Sequence, residues 1–153
     1  MNPQSRYDSL FQYYGSISGI DWMLLKAQAI AESLLDPDAI SRVGAKGLTQ
    51  FMDKTWREWK DGTPGIQEPP SGLDKFNQFD PEDSIRAQAA YMAWLLKQFN
   101  GSIQATLMAY NWGMGNVKKI LASVPAGLVM KAIPEETRGY VTRIMKWMSE
   151  NKI

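Results

Sequence analysis

QAIAESLLDPDAISRVGAKGLTQFMDKT, residues 28–55, carries one glutamate at the end of a run of helix formers and then a turn-rich segment punctuated by glycine. A glutamate taken at random is a solvated surface residue, and Glu32 departs from that by its position. Trp22, Leu25, Ala29 and Glu32 keep three- and four-residue steps, so the carboxylate shares a stripe with apolar side chains that face a core. The polar loop that ends in Gly47-Leu48-Thr49-Gln50 must then fold back across that helix end. A helix C-terminus and partial burial both disfavour an ionised carboxylate, so Glu32 is expected to hold its proton towards neutral pH. A carboxyl of that kind is a candidate general acid.

Working outward from this stretch, Asp21 is the expected N-cap of a helix over 22–33, and Asp36-Pro37-Asp38 is turn chemistry that closes it. Residues 39–48 hold glycines at 44 and 47 and little periodicity, which predicts a loop or a small irregular sheet. Asp53 is expected to cap a short helix bearing Trp56 and Trp59. Upstream, Tyr7, Leu10, Phe11 and Tyr14 predict a helix over 6–14 ended by Gly15, with a break at Ser18-Gly19. Downstream, Gly, Pro, Asp and Gln dominate 61–79, which predicts a long loop without a helix, mobile and open to shortening. It is either a flap over a substrate or a tolerated surface insertion.

Asp80-Pro81-Glu82-Asp83 is a helix start, and the helix should reach Phe99 with Ile85, Ala89, Met92 and Leu96 inward before Gly101 ends it. Ser102 should cap the next helix, which finishes on Ala109-Tyr110-Asn111, with Gly113 and Gly115 in the turn beyond. A short helix near 116–122, a break at Pro125-Ala126-Gly127 and a last helix opened by Pro134 complete the chain. In that last helix Tyr140, Ile144, Trp147 and Met148 face inward, with Arg143, Lys146 and Lys152 towards its negative end. No strand-length alternating run occurs, so the expected fold class is mainly α.

A chain of 153 residues is expected to form a single domain with a substantial core. Its net charge of +1 favours neither nucleic acid nor a membrane as partner, and no window is long and apolar enough for a membrane span. With no cysteine and no histidine, disulfides, Ser-His-Asp and Cys-His mechanisms and the commonest metal ligand are excluded. The acids and bases left are carboxylates, Tyr and Lys, and neither metal nor other cofactor is expected. Six Trp and six Tyr would suit a surface that stacks sugar rings, as well as an ordinary core. MNPQSRYDSLFQYYGS lacks the basic and apolar runs of a signal peptide. The expectation is cytoplasmic synthesis followed by export or release by other means, or a piece of something larger.

Glu32-Ser33, Ser41, Gly44-Ala45-x-Gly47-Leu48-x-Gln50-x-Met52, Ala109-Tyr110-Asn111-x-Gly113 and Glu136-Thr137-Arg138-x-Tyr140-Val141 follow one another in this order. Together, across about residues 20–148, they resemble the catalytic domain of the soluble lytic transglycosylases of glycoside hydrolase family 23, which also holds the goose-type lysozymes. The resemblance implies a lysozyme-like helical domain with a substrate cleft and room for a few very short strands. It implies action on peptidoglycan glycan strands at the bacterial wall or periplasm, and a monomer is expected. Three positions depart from the family's habit: Thr49 where Met is usual, Trp112 where a small residue is usual, and Met114 where Pro is usual. The compact size and missing export signal are similar to phage-encoded or secretion-machine wall-opening enzymes.

Glycosidic cleavage needs an acid for the leaving oxygen and a stabiliser for the oxocarbenium-like centre. Near Glu32 the other carboxylates have structural explanations, Asp36 and Asp38 in a turn and Asp53 at a cap, so a single-carboxylate scheme gains weight. The resemblance supplies one: the substrate's own N-acetyl group attacks the anomeric carbon, and the same glutamate then draws the proton from the 6-hydroxyl. By that resemblance Glu32 is acid and then base, Ser41 and Gln50 contact the sugar or the carboxyl, Met52 lines the cleft, and Tyr110 hydrogen-bonds near Glu32 or the N-acetyl group. Ser41 also reads as a turn residue and Met52 as core. Asn111 and Gly113 shape a turn, Glu136, Thr137 and Arg138 read as capping and an ion pair, and Tyr140 is a lesser cleft candidate. A hydrolytic goose-type lysozyme and a non-catalytic peptidoglycan-binding module are the alternatives.

Overall fold

The computed structural model describes residues 3–62 and 76–151, which fold as a mainly helical chain with no sheet among the described residues. Two compact units, Met1–Ala93 and Trp94–Ile153, divide it. The first holds a 3-10 turn at Pro3–Ser5 and the helices α1 (Asp8–Ser18), α2 (Trp22–Ser33) and α3 (Asp53–Trp59). The division falls within α4 (Pro81–Gln98). The second holds α5 (Ile103–Trp112), α6 (Met114–Ser123), a 3-10 turn at Ala126–Leu128, α7 (Val129–Ala132) and α8 (Glu135–Glu150). No described helix is long and apolar enough to cross a membrane.

Side-chain caps set three of these starts. Asp21 accepts from the Met23 N–H at 2.9 Å, Asp80 from the Asp83 N–H at 2.9 Å, and Ser102 from the Ala105 N–H at 3.1 Å. Each satisfies a donor that the first turn of a helix leaves without an intrahelical partner. Pro81, with no N–H to satisfy, occupies the first position of α4.

The first unit packs α1 on α2, with Phe11, Leu24, Leu25 and Ala29 at most 2% exposed. An ion pair of 2.7 Å from Lys26 to Asp8 adds to that packing. Ile85, Ala89 and Met92 of α4 are fully buried as their spacing predicts. The inward place expected of Leu96 is taken by Leu95, and Leu96 is half-buried. A buried polar contact crosses from α2 to α4: the Gln88 amide nitrogen donates to Gln28 Oε1 at 2.7 Å and to the Leu25 carbonyl at 3.0 Å. In the second unit α5 lies against α6 and α8, burying Leu107, Met108, Val117, Tyr140 and Ile144.

Several boundaries differ from expectation. Gly15 does not end α1 but lies inside it, where a Cβ would stand 2.8 Å from the Ile20 carbonyl oxygen and 3.2 Å from Trp22 Cβ. Its role is close approach, and Gly19 at φ +71 ends the helix instead. Asp53 is the first residue of α3, not its cap; Met52 holds the cap position, and the Asp53 carboxylate pairs with Lys46 at 3.1 Å. Gly115 lies within α6, which starts at Met114 as soon as Gly113 has turned the chain at φ +99. The break at 125–127 is a 3-10 turn that runs on into α7. Most of the loop read at 61–79, with its expected mobility, and Lys152 lie outside the described residues.

Candidate functional site

Glu32 stands in the last turn of α2, half-buried. Leu34 and Leu35 stop the helix at φ +55 and +61 without a glycine, a conformation that costs an L residue roughly 1–2 kcal/mol. Leu35 offsets part of that cost by burial at 9% exposure, whereas Leu34 is 83% exposed. Ser33 then ties this end down: its hydroxyl donates to the Leu48 carbonyl at 2.7 Å, with the Ala29 carbonyl 3.3 Å away. Through that bond the glycine-punctuated loop folds back against the helix end that carries the carboxylate.

The loop is held from within by its own polar groups. Asp36 accepts from the Asp38 N–H at 2.9 Å, closing the turn after α2. The Ser41 hydroxyl accepts from the Ala45 N–H at 3.0 Å while the Ser41 N–H donates to the Ala45 carbonyl at 2.9 Å. Ser41 is thus a turn residue, half-buried, whatever else its hydroxyl does. Isolated antiparallel bridges join Ile40 to Lys46 and Lys46 to Phe51, which is the extent of the short-strand character expected here. Gln50, at φ +56, spends its amide nitrogen on the Ala39 and Gly47 carbonyls, at 3.1 and 2.9 Å. Its side-chain oxygen is therefore the group it has to offer a ligand. Met52 is 44% exposed, which removes its reading as a core residue.

Thr49 is fully buried, with its hydroxyl 2.7 Å from the equally buried Ser84 hydroxyl of α4. The departure from Met at this position is therefore matched by a small polar partner opposite it. A buried hydroxyl needs such a partner, and the pair supplies it within the first unit.

Tyr110 and Asn111 close α5 in the second unit, both half-buried. Asn111 Oδ1 accepts from the Thr137 hydroxyl at 2.8 Å, and Thr137 is 1% exposed. Arg138 donates from Nη1 to the Met130 carbonyl at 3.0 Å. Thr137 and Arg138 were expected to supply capping and an ion pair; they are instead cross-links, one from α8 to the end of α5 and one to α7. Tyr140 follows Thr137 by three residues on α8 and is 2% exposed, so its ring belongs to the core. Trp112 and Met114, the other two departures, flank Gly113 and are half-buried.

Glu32, Ser41, Gln50 and Met52 thus belong to the helix end and loop of the first unit, and Tyr110, Asn111 and Tyr140 to the second. From the sequence, Ser33 has only its place in the motif and Gly47 only its place in a loop. Ser33 had one available signal, a hydroxyl beside the candidate acid. For Gly47, the glycine itself was a signal, but its neighbour, Gln78, is 31 residues away in sequence. Gln28 also carried a signal, as a polar residue on the buried stripe one turn before Glu32.

The transglycosylase SLT domain family matches residues 9–131, which include every candidate residue except Tyr140. The chain is 32% identical over 148 residues to the soluble lytic murein transglycosylase of Escherichia coli (strain K12), covering 92% of this chain and 22% of that one. It is 36% identical over 118 residues to membrane-bound lytic murein transglycosylase F of Alcanivorax borkumensis, again 22% of the relative's length. It therefore spans about a fifth of the curated relatives it matches. The crystal structure of the 70-kDa soluble lytic transglycosylase of Escherichia coli superposes with a TM-score of 0.78 at 30% identity, over 94% of this chain and 23% of that one. An inactive variant of the lytic transglycosylase Slt from Pseudomonas aeruginosa gives 0.76 at 28%. With four-fifths of its length matched and the helical fold shared, this chain belongs to the transglycosylase SLT domain family.

Proposed function

We infer that this chain cleaves the β-1,4 bond between N-acetylmuramic acid and N-acetylglucosamine in peptidoglycan glycan strands, as a lytic transglycosylase, acting as a monomer where the wall lies. The observation that carries this reading is Glu32: a half-buried carboxyl at the end of α2, bonded through Ser33 into the loop of the family's motif, in a chain with no histidine. Glu32 donates its proton to the glycosidic oxygen as the C–O bond breaks, and the N-acetyl carbonyl oxygen of the muramic acid bonds to the anomeric carbon. The Glu32 carboxylate then takes the proton of the 6-hydroxyl, whose oxygen displaces the acetamido oxygen. The product is a 1,6-anhydro end, Glu32 is protonated again, and no water is consumed. A tethered hydroxyl has an effective molarity of roughly 10⁵–10⁸ M when well oriented, far above that of bulk water. Ser41, the Gln50 side-chain oxygen and Met52 of the first unit, and Tyr110, Asn111 and Tyr140 of the second, are the residues we propose to contact the glycan.

Digestion of purified peptidoglycan followed by mass analysis tests the reading. Muropeptides should end in anhydromuramic acid, lighter than hydrolysed ends by one water, and Glu32→Gln should lower the rate by at least the roughly 10²–10⁴-fold of general acid catalysis while keeping the fold. Reducing ends from the earliest time points would assign a hydrolytic lysozyme instead. An unaffected Glu32→Gln would remove Glu32 from the chemistry.

A further inference from the structure

Among the described residues, four other than glycine hold a positive φ: Leu34, Leu35, Gln50 and Asn100. That conformation is costly for any residue with a Cβ and persists where something offsets it. Three of the four show what that is. Leu35 is buried, Gln50 binds the Ala39 and Gly47 carbonyls through its amide nitrogen, and asparagine tolerates this region better than most residue types. Leu34 gains little from the fold. Its side chain is 83% exposed, and its N–H donates to the Ile30 carbonyl at 2.9 Å, a bond that glycine at φ +55 would make equally well.

The place of this residue says what it meets. Leu34 is the second residue past Glu32, so at roughly 3.3–3.6 Å per residue their Cα atoms are at most about 7 Å apart. A ligand whose reacting bond lies at the Glu32 carboxyl comes within reach of a leucine side chain at that distance. Ile40, Val43 and Met52, all exposed, lie in the same connection between α2 and α3, which the Ser33 hydroxyl ties to the helix end through the Leu48 carbonyl. An exposed aliphatic group has one favourable use, contact with apolar surface brought to it from outside. A β-1,4-linked N-acetylated glycan brings such surface in the C–H faces of its rings and the methyls of its N-acetyl groups. It is also the ligand that Glu32 draws to this helix end.

We propose that Leu34 is a specificity residue for the glycan strand, its side chain packing on the C–H face and N-acetyl methyl of a sugar beside the scissile bond. The proposal rests on the transglycosylase reading and deepens it, since it names an apolar contact next to the acid that the polar candidates do not supply. At this position the chain gives up stability for contact with its substrate.

Three variants separate the two quantities. Leu34→Gly and Leu34→Asn relieve the strain, so both should melt about 2–4 °C above the wild type. Both should also raise KM on purified peptidoglycan about 3–10-fold with kcat little changed, the effect of losing one partly covered aliphatic contact. Leu34→Met, equally strained and still apolar, should keep both values near those of the wild type. A raised melting temperature with unchanged KM overturns the proposal and leaves the transglycosylase reading intact. A lowered melting temperature for Leu34→Gly would make the leucine a packing residue of the fold and overturn it as well. Sedimentation with insoluble peptidoglycan, comparing Glu32→Gln with Glu32→Gln/Leu34→Gly, is independent of turnover. Weaker retention of the double variant supports the contact even if the wild type yields no anhydro ends, a result that would remove the transglycosylase reading alone. Equal retention of the two overturns the contact.

Discussion

Gly44 and Gly47 lie three residues apart in one loop, both at positive φ, yet a methyl group meets very different surroundings at each. At Gly44 nothing stands within 4 Å, so Gly44→Ala should cost only the left-handed strain of about 1–2 kcal/mol. At Gly47 the new Cβ would lie 2.0 Å from the Gln78 carbonyl oxygen, a backbone atom that cannot swing away. Gly47→Ala should therefore lose at least about 3 kcal/mol in urea unfolding. Equal losses for the two variants would show that the 76–79 segment does not press on this loop. Ser33 is the second residue whose role is local and testable. Ser33→Ala leaves the Leu48 carbonyl without its 2.7 Å donor, costing about 1–2 kcal/mol, and should lower kcat more than it raises KM because it loosens the seat of Glu32. A stability loss with unchanged kcat would make Ser33 a structural residue only.

Helix ends in this chain divide into those that side chains set and those that packing sets. Asp21, Asp80 and Ser102 announce their helices because a short polar side chain before a helical run has one favourable use, accepting from the first turn. Asp53 stands in the same kind of place and does something else. Its carboxylate reaches Lys46, and α3 begins with no side-chain cap. The two aspects separate experimentally: Ser102→Ala should cost about 1 kcal/mol, whereas Asp53→Ala removes one surface ion pair and should cost under about 0.5 kcal/mol in thermal unfolding. A larger loss for Asp53→Ala would restore it as a cap. Gly15 makes the converse point, since a glycine that looks like a helix stop is in fact the place where α1 admits the Ile20 carbonyl and Trp22.

For the molecule as a whole, alkaline stability should carry the signature of the Tyr91 phenol. Tyr91, on α4, packs against Trp59 at 5.2 Å and Phe51 at 6.0 Å, and burial, with the charge of Glu58 adding to it, pushes its pKa up to about 12. In the unfolded chain the same phenol ionises near pH 10, as an unperturbed tyrosine does. The folded state thus favours the neutral form. Its contribution is complete below about pH 10 and is lost as pH rises through about 12. The melting temperature of the wild type should fall more steeply between pH 10 and 12 than that of Tyr91→Phe, which keeps the ring and removes the proton. Parallel curves for the two proteins would place the phenol in water.

Composition and spacing by themselves determined a mainly helical chain, the start of α2 at Asp21 and its end near Ser33, and the helix opening at Asp80-Pro81, and they single out Glu32 as a candidate acid. These are local matters: a cap acts over three residues and an amphipathic stripe over a few turns, so both are written where they operate. Family membership was legible for a related reason, because the motif residues keep their order along the chain. What tertiary structure alone decided are contacts between residues far apart in sequence. Gln28 finds Gln88, Thr49 finds Ser84, Ser33 finds the Leu48 carbonyl, and Gly47 is a glycine because Gln78 stands over it. None of these partners can be named from spacing, since an amide, a hydroxyl or a bare Cα specifies what kind of neighbour it needs but not which one. Packing chooses it, by burying the group and leaving one place where its hydrogen bond or its missing side chain fits.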